Sequence, residues 1–162
     1  DVYKRQALPR VIRQFPLTSL TVIGKSPEKS NLNNLIDDLN LEDKITFRSG
    51  ISEKEIVKTY HDSDIAVIPS LYEGFGFGAG EAMACGVPLI STESGGLKQV
   101  IGDAALKIKP GSVNEIEEGI LKLFTEEKIR QELAKKGRER MEEFFDWKIA
   151  ASAYIEVFKK II

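Results

Sequence analysis

Asp64-Ile65-Ala66-Val67-Ile68-Pro69-Ser70-Leu71-Tyr72-Glu73-Gly74-Phe75-Gly76-Phe77-Gly78-Ala79-Gly80-Glu81-Ala82-Met83-Ala84-Cys85-Gly86-Val87-Pro88-Leu89-Ile90-Ser91 contains a strand, a glycine-rich loop, a short helix and a second strand in series. The apolar run at 64–69 is short enough for a buried strand, and the small residues from about Gly78 to Cys85 suit a helix. A glycine turn between a strand end and a helix start leaves backbone N–H groups pointing outward. The helix adds about half a positive charge there, which suits a phosphate. The acids at the two ends, Glu73 and Glu81, can accept hydrogen bonds from ligand hydroxyls.

The same alternation extends along the chain. Strands are predicted at Leu20–Gly24, Lys44–Phe47, Ile65–Ile68, Val87–Ser91 and Ala105–Ile108. Between and after them come helices at Ser30–Leu39, from Ser52 to about Tyr60, Gly78–Cys85, Gly96–Val100, Ser112–Phe124, Glu127–Glu143 and Trp147–Ile161. Ser52 with Glu55, and Ser112 with Glu115, each form a capping-box pattern. Apolar strands alternating with amphipathic helices predict an α/β fold, Rossmann-like, with a parallel sheet covered on both faces. Leu8, Val11, Ile12 and Phe15 open the chain at helical spacing, so the strand expected ahead of that helix is lacking. Asp1–Gln6 shows no matching apolar pattern and reads as a non-native leader. The whole of 1–162 is expected to be one domain.

Composition narrows the chemistry. The 162 residues suffice for one core, and 42% hydrophobic with 30% charged residues is ordinary for a globular domain. A net charge of -2 without a basic, aromatic-laced patch gives no reason to expect nucleic acid as a partner. No apolar run reaches the ~20 residues of a membrane span. One cysteine excludes an internal disulfide, which suits a reducing compartment. Cys85 reads as a small buried residue, and the single histidine, His61, as a helix-end surface residue. With one of each, a zinc site of ordinary composition is not available.

In a parallel sheet, ligands sit beyond the carboxyl ends of the strands. The loops there carry Gly24, Gly50, Gly74 and the pair Gly95-Gly96, where glycine lets a ligand approach the backbone. Gly74-x-Gly76-x-x-Ala79 formally fits a dinucleotide fingerprint, with Glu93 about 20 residues on. Against that NAD-type reading, Leu71-Tyr72-Glu73 separates the first glycine from its strand, and the match lies mid-sheet. Glu81 would also stand in the first helical turn and repel a pyrophosphate.

Glu73-Gly74-Phe75-Gly76, Glu81-Ala82-Met83-Ala84 and Gly86-Val87-Pro88 together resemble the double-glutamate signature of glycosyltransferase family 4. Asp64–Ser70, Gly95-Gly96 with Val100–Ala105, and Phe145–Tyr154 are similar to further segments of that family. The resemblance implies the C-terminal, donor-binding half of a GT-B fold, with an N-terminal acceptor domain elsewhere. It implies retaining transfer of a sugar from a nucleoside diphosphate donor, with no cofactor and no essential metal. The acceptor could be a glycan, a lipid or a small molecule. By that likeness Glu73 is catalytic and lies close to the donor sugar, while Glu81 binds the ribose. Gly74, Phe75, Gly76 and Phe77 would contact sugar and phosphate through main-chain N–H groups, and Gly24, Gly50 and Ile51 would line the nucleoside side. The family's Arg and Lys that neutralise the diphosphate follow the lacking strand, so this chain alone is expected to be inactive or nearly so. Gln99 stands where the family usually has Glu, and Phe77-Gly78 where Leu-Pro is more frequent. Trp147 is expected to pack the last helix onto the body. A cytoplasmic location is expected, with the full-length protein either free or peripheral at a membrane. A non-catalytic nucleotide-binding module on the same scaffold is the alternative.

Overall fold

The computed structural model describes residues 2–24 and 36–161. Its elements are α1 (Val2–Gln14), β1 (Leu20–Ile23), β2 (Ile45–Arg48), α2 (Glu53–His61), β3 (Ala66–Ile68), α3 (Phe77–Ala84), β4 (Leu89–Ser91), α4 (Leu97–Ile101), β5 (Leu106–Lys107), α5 (Val113–Thr125), α6 (Glu127–Phe144) and α7 (Trp147–Ile161). A 3-10 turn at Glu42–Lys44 leads into β2. The helix expected at Ser30–Leu39 falls largely outside the described residues, although 36–38 are helical.

Every strand pairing is parallel, as the strand–helix alternation predicts, but the described strands form two sheets. β1 pairs β2 with Leu20 opposite Ile45, and β3, β4 and β5 form a second sheet in that order. One continuous sheet was the expectation. It is divided because, among the described residues, no strand stands between β1 and β3.

Helices cover both faces. Consecutive strand residues point to opposite sides, and β4 shows it: Leu89 belongs to a core with Ala79, Met83, Leu97 and Val100, whereas Ile90 belongs to one with Ala7, Ile116 and Leu123. A third cluster, Leu8, Ile36 and Leu41, packs beside Leu20, Ile45 and Phe47. α1 lies on α5, where exposed Arg10 reaches the buried Glu117 carboxylate at 2.8 Å.

Three expectations need correction. Regular structure begins at Val2, not Ala7. Tyr3 packs against the core and the buried Arg5 guanidinium lies 5.2 Å from the Phe47 ring centroid, so polar residues carry this turn into the fold. The capping box at Ser52 forms in full, but the one at Ser112 is half made. Ser112 Oγ accepts from the Glu115 N–H, while Glu115 turns its carboxylate to the Lys109 N–H at 2.7 Å and the Lys109 amine at 3.1 Å. Trp147 does not pack the last helix down. It is 87% exposed, and α7 buries no residue.

Candidate functional site

The loop between β3 and α3 is shaped by one left-handed glycine. Gly76 is the N-cap of α3 at φ 103, a conformation that side chains other than glycine adopt at a cost. Its carbonyl accepts the Ala79 and Gly80 N–H groups, which closes the first turn. α3 starts at Phe77 with no acidic residue in its first turn and no side-chain cap. Glu81 is therefore in the second turn, one position later than the sequence suggested. The repulsion argued against a dinucleotide pyrophosphate loses force accordingly.

A second glycine feature was not apparent from local sequence. Gly95 and Gly96 press their backbone against the Glu73–Phe75 loop. A Cβ at Gly95 would fall 2.2 Å from the Glu73 carbonyl oxygen, and one at Gly96 2.3 Å from that of Gly74. The Gly96 N–H donates to the Glu73 carbonyl at 2.9 Å. This pair holds the loop bearing Glu73 in place. Gly74 itself is open, with nothing within 4 Å of an added Cβ. The Thr92 hydroxyl, donating to the Ser70 carbonyl at 2.8 Å, ties the start of the same loop to the end of β4.

Among the described residues, neither Glu73 nor Glu81 enters an ion pair. Glu73 is half-buried and Glu81 exposed. The Tyr60 hydroxyl, on α2, lies 3.1 Å from the Gly78 carbonyl oxygen and 3.4 Å from Glu81 Oε2, and shares its one proton between them. Burial first, then the Glu81 charge, pushes the Tyr60 phenol well above its ordinary value. Tyr60 was not among the sequence candidates. Its link to α3 spans 18 to 21 residues, beyond the reach of helical or strand periodicity. Tyr60, Gly78 and Glu81 line one wall of an open groove of about 770 Å³ that runs between β1 and β3.

The aromatics of the loop stay near the surface. Phe75 is 47% and Phe77 73% exposed, with ring centroids 4.8 Å apart. Behind the loop, α6 braces both short helices. Arg138 donates to the Ala84 carbonyl, and Arg140 donates to Val100 and Gln99 at 2.7 and 2.6 Å. Gly24 and Gly50 follow β1 and β2, with φ 153 and 64 and open space where a Cβ would stand, and the Gly24 N–H reaches Arg48. Ile51, next in the chain, is half-buried.

Other candidates fall away. Glu93, the acid a dinucleotide site would need for its ribose, is paired with Lys107 at 2.9 Å. Burial raises the Cys85 thiol above its ordinary value, which holds it protonated and inert. His61 is exposed at the end of α2, as expected. Among the described residues, no helix is long and apolar enough to cross a membrane.

Comparison with known proteins matches residues 5–140 to the family described as glycosyl transferases group 1. Over 146 residues the chain is 32% identical to the MMP alpha-(1->4)-mannosyltransferase of Mycolicibacterium hassiacum, covering 88% of this chain and 36% of that protein. Sucrose-phosphate synthase from Thermosynechococcus elongatus superposes with a TM-score of 0.83 at 28% identity, over 99% of this chain and 42% of the other. The C-terminal domain of LpcC, a glycosyl transferase group 1 protein of Francisella tularensis, superposes at 0.79 and 27% identity, over 90% of this chain and 78% of that one. The chain thus spans well under half the length of the two full proteins.

Proposed function

Because this chain belongs to the glycosyl transferases group 1 family, we propose that it is the donor-binding half of a retaining, family 4-type enzyme moving a hexosyl group from a nucleoside diphosphate sugar. One observation carries the reading: Glu73 and Glu81, which enter no ion pair among the described residues, flank a loop whose left-handed glycine opens a helix N-terminus. Glu81 then accepts from the ribose hydroxyls, steadied by Tyr60. Glu73 lies against the donor sugar and stabilises charge that develops there. Main-chain N–H groups from Gly74 to Phe77 meet the sugar and the diphosphate, and the helix end favours their negative charge. Gly24, Gly50 and Ile51 line the nucleoside side. The transfer needs no metal, and the acceptor binds a domain outside this chain, so the chain alone turns over little or no donor.

The experiment is calorimetry with UDP, GDP, ADP and NAD⁺ on the full-length protein, with and without EDTA. The reading expects heat with one nucleoside diphosphate, unchanged by EDTA and absent with NAD⁺. Binding of NAD⁺ alone would replace it with a dinucleotide domain. Nucleotide binding without sugar transfer to any acceptor would leave a non-catalytic module.

A further inference from the structure

Glu81 has two carboxylate oxygens, and among the described residues only one of them meets a donor. The Tyr60 hydroxyl lies 3.4 Å from Oε2, at the long end of a hydrogen bond, and 3.1 Å from the Gly78 carbonyl oxygen. Both side chains arrive there for the same reason. Side chains on a helix lean toward its N-terminus. α2 and α3 each start beyond the carboxyl end of a strand, so Tyr60 and Glu81 both lean back toward the ligand edge of the sheet. Gly78 and Glu81 are neighbours at i and i+3 on α3, which sets the carboxylate over the first turn. The Tyr60 ring packs against the core that holds Met83 and Leu89, so its hydroxyl is the end that reaches the groove wall.

The choice of a phenol matters. Burial first, then the Glu81 charge, holds Tyr60 protonated, so it donates and carries no charge of its own. A lysine or arginine in its place would form an ion pair and weaken the pull of the carboxylate on other donors. A neutral hydroxyl fixes the rotation of the carboxylate and leaves its charge for a ligand. With Tyr60 on one lone pair of Oε2, about three of the four acceptor positions stay open, enough for two adjacent hydroxyls. A ribose offers such a pair at its 2′ and 3′ carbons. A 2′-deoxyribose offers one hydroxyl, and a 2′,3′-dideoxyribose none.

We propose that Tyr60 is a positioning residue through which this site selects ribonucleoside over deoxyribonucleoside diphosphate donors: its hydroxyl holds Oε2 so that Glu81 presents both oxygens to the 2′- and 3′-hydroxyls together. This selection rests on the assignment of Glu81 to the ribose made above. Without the phenol, Glu81 keeps its charge but turns among rotamers, and each ribose that binds has to order it first. The long contact to Oε2 shortens when the ligand hydroxyls hold the carboxylate from the other side, as hydrogen bonds in empty sites commonly do.

Calorimetry on the full-length protein tests this, with UDP, GDP and ADP beside their 2′-deoxy and 2′,3′-dideoxy forms. In the unaltered protein the ribonucleotide that binds should hold about 10- to 100-fold tighter than its dideoxy form. Tyr60→Phe should weaken the ribonucleotide about 3- to 10-fold and the 2′-deoxy form less. The dideoxy form should bind unchanged, which shows at the same time that the variant is folded. In sugar transfer, Tyr60→Phe should raise the donor KM by the same factor and leave kcat as it was, because the ribose is remote from the bond that breaks. In a Glu81→Ala background the substitution should add nothing, since Tyr60 acts through Glu81. Equal weakening of all three nucleotides by Tyr60→Phe, with circular dichroism unchanged, would make Tyr60 a structural tie between α2 and α3 and overturn the proposal. So would a preference for ribose that Tyr60→Phe leaves intact and Glu81→Ala abolishes, a result that spares the assignment of Glu81. An unaltered protein with no preference for ribose would remove that assignment, and the role of Tyr60 with it.

Discussion

Gly96→Ala should damage this protein where Gly74→Ala does not, although Gly74 is one of the glycines within the double-glutamate motif. At Gly96 the new methyl would lie 2.3 Å from the Gly74 carbonyl oxygen and 2.8 Å from the Phe75 Cα. Both obstacles are backbone, so one loop must move by about 1 Å, which overpacking data put at ~1–3 kcal/mol. At Gly95 the methyl would meet the Glu73 carbonyl at 2.2 Å, and the residue sits at φ 59. The left-handed backbone adds about 1–2 kcal/mol there, for a total of roughly 2–5 kcal/mol. At Gly74 nothing lies within 4 Å and φ is not positive. Alanine there is neutral, or stabilises by up to ~1 kcal/mol through a less flexible unfolded chain. Urea unfolding followed by circular dichroism, with equal m-values, measures all three. The two strained variants should also weaken nucleotide binding, because the displaced loop carries Glu73. Losses below about 0.5 kcal/mol at both Gly95 and Gly96 would refute the claim that this pair holds the loop.

Further outcomes follow from the same contacts. Ser52→Ala breaks a reciprocal cap and should cost about 1–2 kcal/mol, whereas Ser112→Ala, whose Glu115 carboxylate is engaged by Lys109, should cost about 0.5–1 kcal/mol in the same assay. The raised Tyr60 phenol means that its neutral form stabilises the fold below about pH 10 and that this contribution is lost as pH climbs beyond. Tyr60→Phe should therefore show a shallower loss of stability between pH 10 and 12 in pH-dependent melting, and an equally steep loss would contradict it. Sugar transfer by the full-length protein should persist in excess EDTA, measured by nucleotide release.

Much of the fold was legible because local rules agreed with the global one. Strand-to-helix alternation gave the parallel pairings, and the Ser52 box gave the start of α2 to the residue. What failed was decided by distant partners. Glu115 had a competitor in Lys109 that no capping pattern encodes. Arg5 diluted the apolar stripe of α1 yet is buried against Phe47. Gly95 and Gly96 read as a turn, while their importance lies in contact with a loop some twenty residues earlier. Trp147 was expected to anchor the last helix from the family likeness, but a likeness at one position does not supply the contacts that bury a side chain, and Trp147 stays exposed. The two acids were visible as a spacing, whereas Tyr60, which orients one of them, was not.

The most direct test is the dissociation constant of the cognate nucleoside diphosphate for Glu81→Gln in the full-length protein. Losing a charged acceptor to ribose hydroxyls is worth ~1.5–3 kcal/mol, so binding should weaken about 10- to 100-fold with the melting temperature unchanged. An unaltered dissociation constant in a folded variant would show that Glu81 does not hold the donor.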